Sequence, residues 1–131
     1  MIVLDTHVWI WFVSNPELLS QKAKKAVDIA MEEKNILISS ISTWEVALLV
    51  SRKRLKLTMD TSDWIAKSES LPFLKFLPLD NSIAVESVNL PEPLHNDPVD
   101  RIIIATAVSK GASLITKDEK ILNYPHVKTL W

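Results

Sequence analysis

Four acidic residues, far apart in the chain, have neighbours that could bring their carboxylates together: Asp5, Glu45, Asp100 and Asp118. Asp5 directly follows one short apolar run, and Asp118 lies two residues beyond another. Glu45 and Asp100 fall near the starts of predicted helices, with apolar residues three and four positions further on. Carboxylates that face a core are costly unless they are paired, and oxygen ligands suit Mg²⁺ or Mn²⁺. The pattern therefore predicts a divalent-cation site.

Apolar runs and amphipathic segments alternate along the chain and define the elements that must position these acids. The predicted strands are residues 2–4, 36–38, 73–77, 112–116 and, at the C-terminal end, 127–130. The predicted helices are residues 7–13, 20–31, 41–52, 63–70, 80–88 and 98–110. Strands that alternate with helices indicate an α/β fold, with a parallel sheet and helices on both of its faces.

In such a fold the carboxyl ends of the strands and the N-termini of the helices share one edge, where ligands bind. All four acids map to that edge, although each has a structural alternative. Asp5 could end a strand in a turn, and Asp118 could cap residues 119–122. Glu45 fits a capping box that starts at Ser42. Asp97, which precedes Pro98, is explained fully as a helix N-cap, although it could also assist the site.

Composition limits the classes of function. The chain has 131 residues and a net charge of -1, which fits a single domain, residues 1–131, without a global basic field. It has no cysteine, which excludes thiolate metal sites, and a single glycine, Gly111, which excludes glycine-rich phosphate loops. No apolar run approaches membrane-spanning length and no basic signal region begins the chain, so we expect a cytoplasmic protein.

An ordered set of motifs resembles the PIN-domain nucleases, and specifically the VapC-like toxins of prokaryotic type II toxin–antitoxin systems. The matching pieces are Leu4-Asp5-Thr6-His7, Ser39-Ser40-Ile41-Ser42-Thr43-Trp44-Glu45, His95-Asn96-Asp97-Pro98-Val99-Asp100-Arg101, Ala105-Thr106-Ala107 and Leu114-Ile115-Thr116-Lys117-Asp118. Each motif is weak alone, but their order and spacing match over essentially the whole chain. The resemblance implies a PIN-like, three-layer α/β/α sandwich with a mainly parallel central sheet.

The same resemblance implies a metal-dependent endoribonuclease that uses Mg²⁺, with Mn²⁺ as a possible substitute. Asp5, Glu45, Asp100 and Asp118 would be its catalytic and metal-binding residues. The positions of Thr6, Ser39 and Thr116 match small polar residues that often line the site, and we include them with Arg101 as substrate-binding residues. The expected partners are an RNA substrate, a small VapB-like antitoxin and a second copy of the chain.

Local basic residues are the other candidates for RNA contact, and the apolar residues 7–13 could contact a protein partner. The basic candidates are Arg52, Lys53, Arg54, Lys56, Arg101 and Lys117. Arg101 could instead form an ion pair with Asp100. We expect Trp9, Trp11 and Trp44 to belong to the core or to a dimer interface rather than to stack on bases.

Two other functions fit a PIN-like chain, namely a DNA nuclease and a non-catalytic module that binds RNA or protein. Loss of one or more of the four acids would be typical of a non-catalytic module, and all four are present. Phosphatases with an aspartyl nucleophile need a second Asp two residues after the first, where this chain has His7. A receiver domain needs an acid after its central strand, where this chain has serines.

Overall fold

A five-stranded sheet forms the centre of the protein in the computed structural model, which describes residues 1–131. Its strands are β1 (Ile2–Leu4), β2 (Ile36–Ser39), β3 (Leu74–Leu77), β4 (Ser113–Ile115) and β5 (Thr129–Leu130). The strand order is β3-β2-β1-β4-β5, and every neighbouring pair is parallel. The predicted parallel sheet is therefore confirmed, and β1 lies at its centre with β3 at one edge.

Seven α-helices and one 3₁₀ turn, Pro16–Leu18, connect the strands. The helices are α1 (Thr6–Ser14), α2 (Gln21–Glu32), α3 (Ser40–Ser51), α4 (Thr61–Glu69), α5 (Asn81–Asn89), α6 (Pro98–Lys110) and α7 (Glu119–Leu122). Gly111 ends α6 in the left-handed conformation, with φ of 61°, which an L-residue with a side chain rarely adopts. None of the helices has the length and apolar character that a membrane crossing requires.

Side chains on opposite faces of the sheet belong to two separate hydrophobic cores. From β1, Ile2 and Leu4 pack with Trp9 of α1 and Val27 of α2. Val3 points the other way, into a core that is formed largely by α6. This alternation follows from the two-residue period of a strand. The protein is therefore a three-layer α/β/α sandwich, as the sequence and the resemblance predicted.

One local prediction was wrong, and another is met only in part. Helix α3 begins at Ser40, and its N-cap is Ser39, whose hydroxyl accepts from the backbone N–H of Ile41. Ser42 therefore does not start a capping box with Glu45. Trp9 is fully buried in the core, as predicted. Trp44 is 54% exposed and lies outside the core, so for this residue only the dimer interface of the original prediction is left.

Helix α6 should dominate stability, because it is buried on nearly every side. Replacing Ile103, which is fully buried, with Ala should lower the free energy of unfolding by about 3 kcal/mol through lost apolar contacts and a residual cavity. Val108→Ala, at an exposed residue of α6, should alter the free energy of unfolding by less than about 0.5 kcal/mol. Urea denaturation followed by circular dichroism measures both, and equal losses would contradict this account of α6.

Candidate active site

The structure brings all four predicted acids, together with Asp97, around one open cavity of about 490 Å³ at the carboxyl edge of the sheet. Asp5 follows β1, Glu45 lies on α3 after β2, and Asp118 follows β4. Asp97 and Asp100 come from the start of α6. The other residues that line the cavity are His7, Val8, Trp11 and Lys117. The convergence predicted from topology alone is confirmed.

Asp5 is held in place through both oxygens of its carboxylate. One oxygen accepts from the backbone N–H of Thr6 at 2.8 Å, so that Asp5 caps α1. The other accepts from the hydroxyl of Thr116 at 2.7 Å. The Thr116 hydroxyl in turn accepts from the backbone N–H of Asp118 at 3.1 Å. A short chain of hydrogen bonds thus links the ends of β1 and β4, and it sets the positions of two of the acids.

Asp100 is oriented by a histidine that the sequence analysis did not assign to the site. The Nε2 atom of His95 lies 2.7 Å from one carboxylate oxygen of Asp100. Burial raises the pKa of Asp100 to about 6, and the bond with His95 offsets only part of that rise. Repulsion from Asp5, Asp97 and Asp118 adds to it. The site therefore disfavours the charge on Asp100.

Glu45 lines the cavity from α3. Helices α1 and α3 are joined beside it, where the buried Thr6 hydroxyl donates to the Ser42 hydroxyl at 2.9 Å. Burial raises the pKa of Glu45, the side chain of Thr6 lowers it in part, and the charges of Asp5 and Asp97 raise it again. Glu45 is thus close enough to its neighbours for their charges to act on it.

Asp97 and Asp118 each combine a place in the cavity wall with a capping role. Asp97 accepts from the backbone N–H groups of Val99 and Asp100 at the start of α6. Asp118 accepts from the backbone N–H of Lys120 at the start of α7. The predicted caps are both confirmed. Because a carboxylate has more than one acceptor site, capping does not exhaust its capacity to bind.

The donor set of this cavity fits a hard cation. Carboxylate oxygens are the ligands that Mg²⁺ and Mn²⁺ prefer. Burial also raises the pKa of Asp5, although bonds from Thr116 and Thr6 offset part of the rise and Asp118 adds to it. A bound cation would relieve this cost. In the present side-chain positions, however, no three acidic or imidazole groups are close enough to share one ion.

The three small polar residues predicted to bind substrate are buried, and their hydroxyls already have partners within the protein. Thr6 bonds to Ser42, Ser39 caps α3, and Thr116 bonds to Asp5. These contacts give all three a clear role in holding the acids and the helices that carry them. Direct contact with substrate stays a prediction.

Arg101 lies outside the acidic cavity and is buried, which contradicts its predicted contact with substrate. All five of its N–H donors are used within the protein. They bond to the backbone carbonyls of Ser87, Val88, Leu94 and His95 and to the carboxylate of Glu92. The alternative ion pair with Asp100 is also wrong, because Arg101 pairs with Glu92. Arg101 instead fixes the loop that places His95 beside Asp100.

Lys117 is the one predicted basic residue in the wall of the acidic cavity. It is exposed, and its Nζ atom lies 5.8 Å from the ring centre of Trp11. His7 and Trp11, which the sequence analysis assigned elsewhere, also line the cavity. Their position directly after Asp5, on the first turns of α1, is the sequence feature that pointed to the site.

The fold and the cavity define a class of α/β proteins in which carboxylates from several elements meet at the carboxyl edge of a parallel sheet. The chain belongs to the PIN-domain family, which it matches over residues 2–127. One relative, Ribonuclease VapC22 of Mycobacterium tuberculosis, is 31% identical over 132 residues, covering 99% of this chain and 98% of that protein. The predicted resemblance is confirmed.

Solved structures share the fold at lower sequence identity. The VapBC2 structure from Rickettsia felis, bound to a promoter DNA fragment, has a TM-score of 0.73 and 18% identity, covering 99% of this chain and 98% of that chain. A toxin–antitoxin complex from Klebsiella pneumoniae has a TM-score of 0.65 and 22% identity, covering 100% and 97%. FitAcB from Neisseria gonorrhoeae has a TM-score of 0.65 and 20% identity, with the same coverage. These likenesses support the PIN-like fold.

Replacing Asp100 with Asn should stabilise the metal-free protein at pH 8. The folded state holds the Asp100 proton up to a pKa of about 6, whereas the unfolded chain releases it near the ordinary carboxyl pKa of 3.8. Stability of the wild type should therefore fall as pH rises through this range. The variant has no carboxyl group to ionise at this position. We therefore expect its free energy of unfolding to exceed that of the wild type by about 1 kcal/mol at pH 8 and by little at pH 4. Urea denaturation in EDTA measures the difference.

An exposed acid provides the control for this comparison. Asp28 lies on α2, away from the cavity. Asp28→Asn should give the same small effect at both pH values. A variant Asp100→Asn that is no more stable than the wild type at pH 8 would contradict the account of a strained carboxylate.

Replacing Thr116 with Val should raise the pKa of Asp5, because the hydroxyl that donates to its carboxylate is lost. Carboxyl ¹³C NMR titration of the metal-free protein measures this pKa. Thr106→Val is a matched control, since it removes another buried hydroxyl, which bonds to the Ile102 carbonyl. Both variants should lose about 1 kcal/mol of stability. Only Thr116→Val should move the pKa of Asp5, and an unchanged value would refute the proposed link between β1 and β4.

Proposed function

We propose that this chain is a metal-dependent endoribonuclease that hydrolyses RNA phosphodiester bonds and acts as the toxin of a toxin–antitoxin pair. Its catalytic and metal-binding residues are Asp5, Glu45, Asp100 and Asp118, and its metal is Mg²⁺, which Mn²⁺ can replace. The observation that carries the proposal is the convergence of these carboxylates, with Asp97, in one open cavity.

The comparisons with known proteins and the electrostatics of the cavity support the proposal. Membership of the PIN-domain family and the 31% identity to a protein named as a ribonuclease favour RNA cleavage. Metal dependence is typical of this family. The raised pKa values of Asp5, Glu45 and Asp100 also support a bound cation, since each arises chiefly from burial of a charge that a cation can neutralise.

The protein supplies the geometry of the reaction through hydrogen-bond partners that hold the carboxylates. Thr116 holds Asp5, and His95 holds Asp100, so that both carboxylates stay in the cavity wall. Lys117, exposed at the same wall, is placed to contact a phosphate of the substrate. Bound Mg²⁺ would neutralise phosphate oxygens and lower the pKa of the attacking water. Hydrolysis would leave a 5′-phosphate and a 3′-hydroxyl.

The structural likenesses motivate the proposed partners. The solved structures with the same fold include complexes described as VapBC or as toxin–antitoxin complexes. We therefore assign to this chain a small VapB-like antitoxin and a homodimeric state. An RNA substrate implies that the enzyme works in the cytoplasm.

The nuclease assay uses a fluorescent RNA oligonucleotide and a DNA oligonucleotide of the same sequence. Wild type with Mg²⁺ should cut the RNA, and EDTA should abolish cleavage. Asp5→Asn and Asp100→Asn should each lower kcat by roughly 100-fold or more, because each removes a charge that holds the cation. Gel electrophoresis of the products measures the rates.

Asp28→Asn is the matched control, because it changes an exposed carboxylate outside the cavity, and this variant should cleave RNA like the wild type. Cleavage in EDTA would reject the metal mechanism. Unchanged activity in both cavity variants would reject the assigned site. Cleavage of DNA alone would favour the DNA nuclease, and no cleavage of either strand would favour the non-catalytic module.

A further inference from the structure

Trp44 is the most unusual aromatic residue of the protein. It precedes Glu45 on α3, yet 54% of its surface is exposed. The indole has no aromatic partner in the protein, whereas Trp9, Trp11 and Trp64 all pack against other rings. An exposed indole beside an acidic cavity is a candidate contact for an external partner, because its flat apolar ring can pack against a ligand.

Trp44 lies on the wall of a second cavity, of about 530 Å³, between α3 and α6. This cavity adjoins the acidic one, because Glu45 and Asp97 line both. Its floor is apolar, and the residues that form it are Ile41, Leu48, Leu49, Pro98, Val99 and Ile102. The groove therefore combines an exposed ring and an apolar floor with direct access to the carboxylates.

Two arginine side chains lie at the end of this groove that is further along α3. Arg52 and Arg54 line it and are exposed. Neither takes part in the ion pairs of the protein, which join His95 to Asp100 and Arg101 to Glu92. Arg52 lies seven residues after Glu45, or about 10 Å along a helix. Adjacent nucleotides of one strand can therefore contact the acids and the arginines at the same time.

We propose that the groove between α3 and α6 binds an unpaired nucleotide of the RNA strand next to the bond that is cut. Its base stacks on Trp44, above the apolar floor, and the phosphate beyond it contacts Arg52 and Arg54. Aromatic stacking with phosphate contacts is the usual way to hold single-stranded nucleic acid. This inference rests on the proposed function and adds to it a position for one nucleotide beside the acidic cavity.

The charges favour RNA over a protein as the occupant. The groove joins a cation-binding cavity, where the phosphate to be cut must lie, to two arginines without acidic partners. A polyanionic strand that runs along α3 satisfies both ends. An apolar protein helix would bury Leu48 and Ile102 but would pair neither with the two arginines nor with a cation in the acidic cavity.

The test measures RNA binding separately from cleavage. Asp5→Asn protein, in Mg²⁺, is titrated into a fluorescein-labelled unstructured RNA oligonucleotide, and anisotropy gives Kd. Adding Trp44→Ala should raise Kd about tenfold, because base stacking is lost. Adding Trp44→Phe should restore most of the affinity. Val85→Ala, which changes an exposed apolar residue on α5, is the control and should leave Kd unchanged.

Abasic RNA and salt dependence extend the test to the base and the phosphate. Removing the base at one position of the RNA should weaken binding when Trp44 is present and should add nothing to Trp44→Ala. Arg52→Ser with Arg54→Ser should reduce the slope of log affinity against log salt, by about 0.7 for each lost phosphate contact. Lys24→Ser with Lys25→Ser changes two exposed residues of α2 and should leave the slope unchanged.

The outcomes separate this inference from the proposed function. Weaker binding by Trp44→Ala in a protein whose wild type cuts no RNA would support the nucleotide site and reject the nuclease. Normal cleavage by the wild type with an unchanged Kd for Trp44→Ala would overturn the nucleotide site alone. Loss of dimer in light scattering with unchanged Kd would overturn it too, in favour of a protein contact. A wild type that neither binds nor cuts RNA would overturn both.

Discussion

The crowding of carboxylates in a partly buried cavity is the constraint on which the structure depends. Burial and mutual repulsion both disfavour the charged forms of Asp5, Glu45 and Asp100. Flexible side chains would relieve this cost by turning towards water. The protein prevents this with partners that carry no opposing charge of their own, such as the Thr116 hydroxyl and backbone N–H groups. The carboxylates therefore stay in position, and because their charges are not neutralised they still favour a bound cation.

The rigidity of that arrangement comes from the layers behind it. Buried side chains on both faces of the sheet fix β1 and β4, whose ends carry Asp5 and Asp118. On the other side of the cavity, Arg101 holds the loop before α6 through backbone carbonyls, and this loop carries His95 to Asp100. A buried guanidinium with every donor satisfied is stable in a way that a lysine would not reproduce, because its bonds need a planar fork.

Periodicity and capping chemistry predicted most of the fold, since they are local. The short apolar runs became strands, Asp97 and Asp118 became caps, and topology placed the four acids at one edge. What failed depended on contacts between distant residues. Neighbouring residues do not indicate that Arg101 reaches Glu92, that His95 turns to Asp100, or which face of α3 leaves Trp44 uncovered. These details are decided by packing in three dimensions.

The order of strands also has a consequence for the timing of synthesis. The central strand β1 is made first, but its neighbour β4 and the acid beyond it come more than one hundred residues later. A chain emerging from a ribosome can therefore form β1 next to β2 long before the wall that holds Asp118 exists. The acidic cavity stays incomplete until nearly the whole domain has been translated, so no partly synthesised chain holds all four of its carboxylates together.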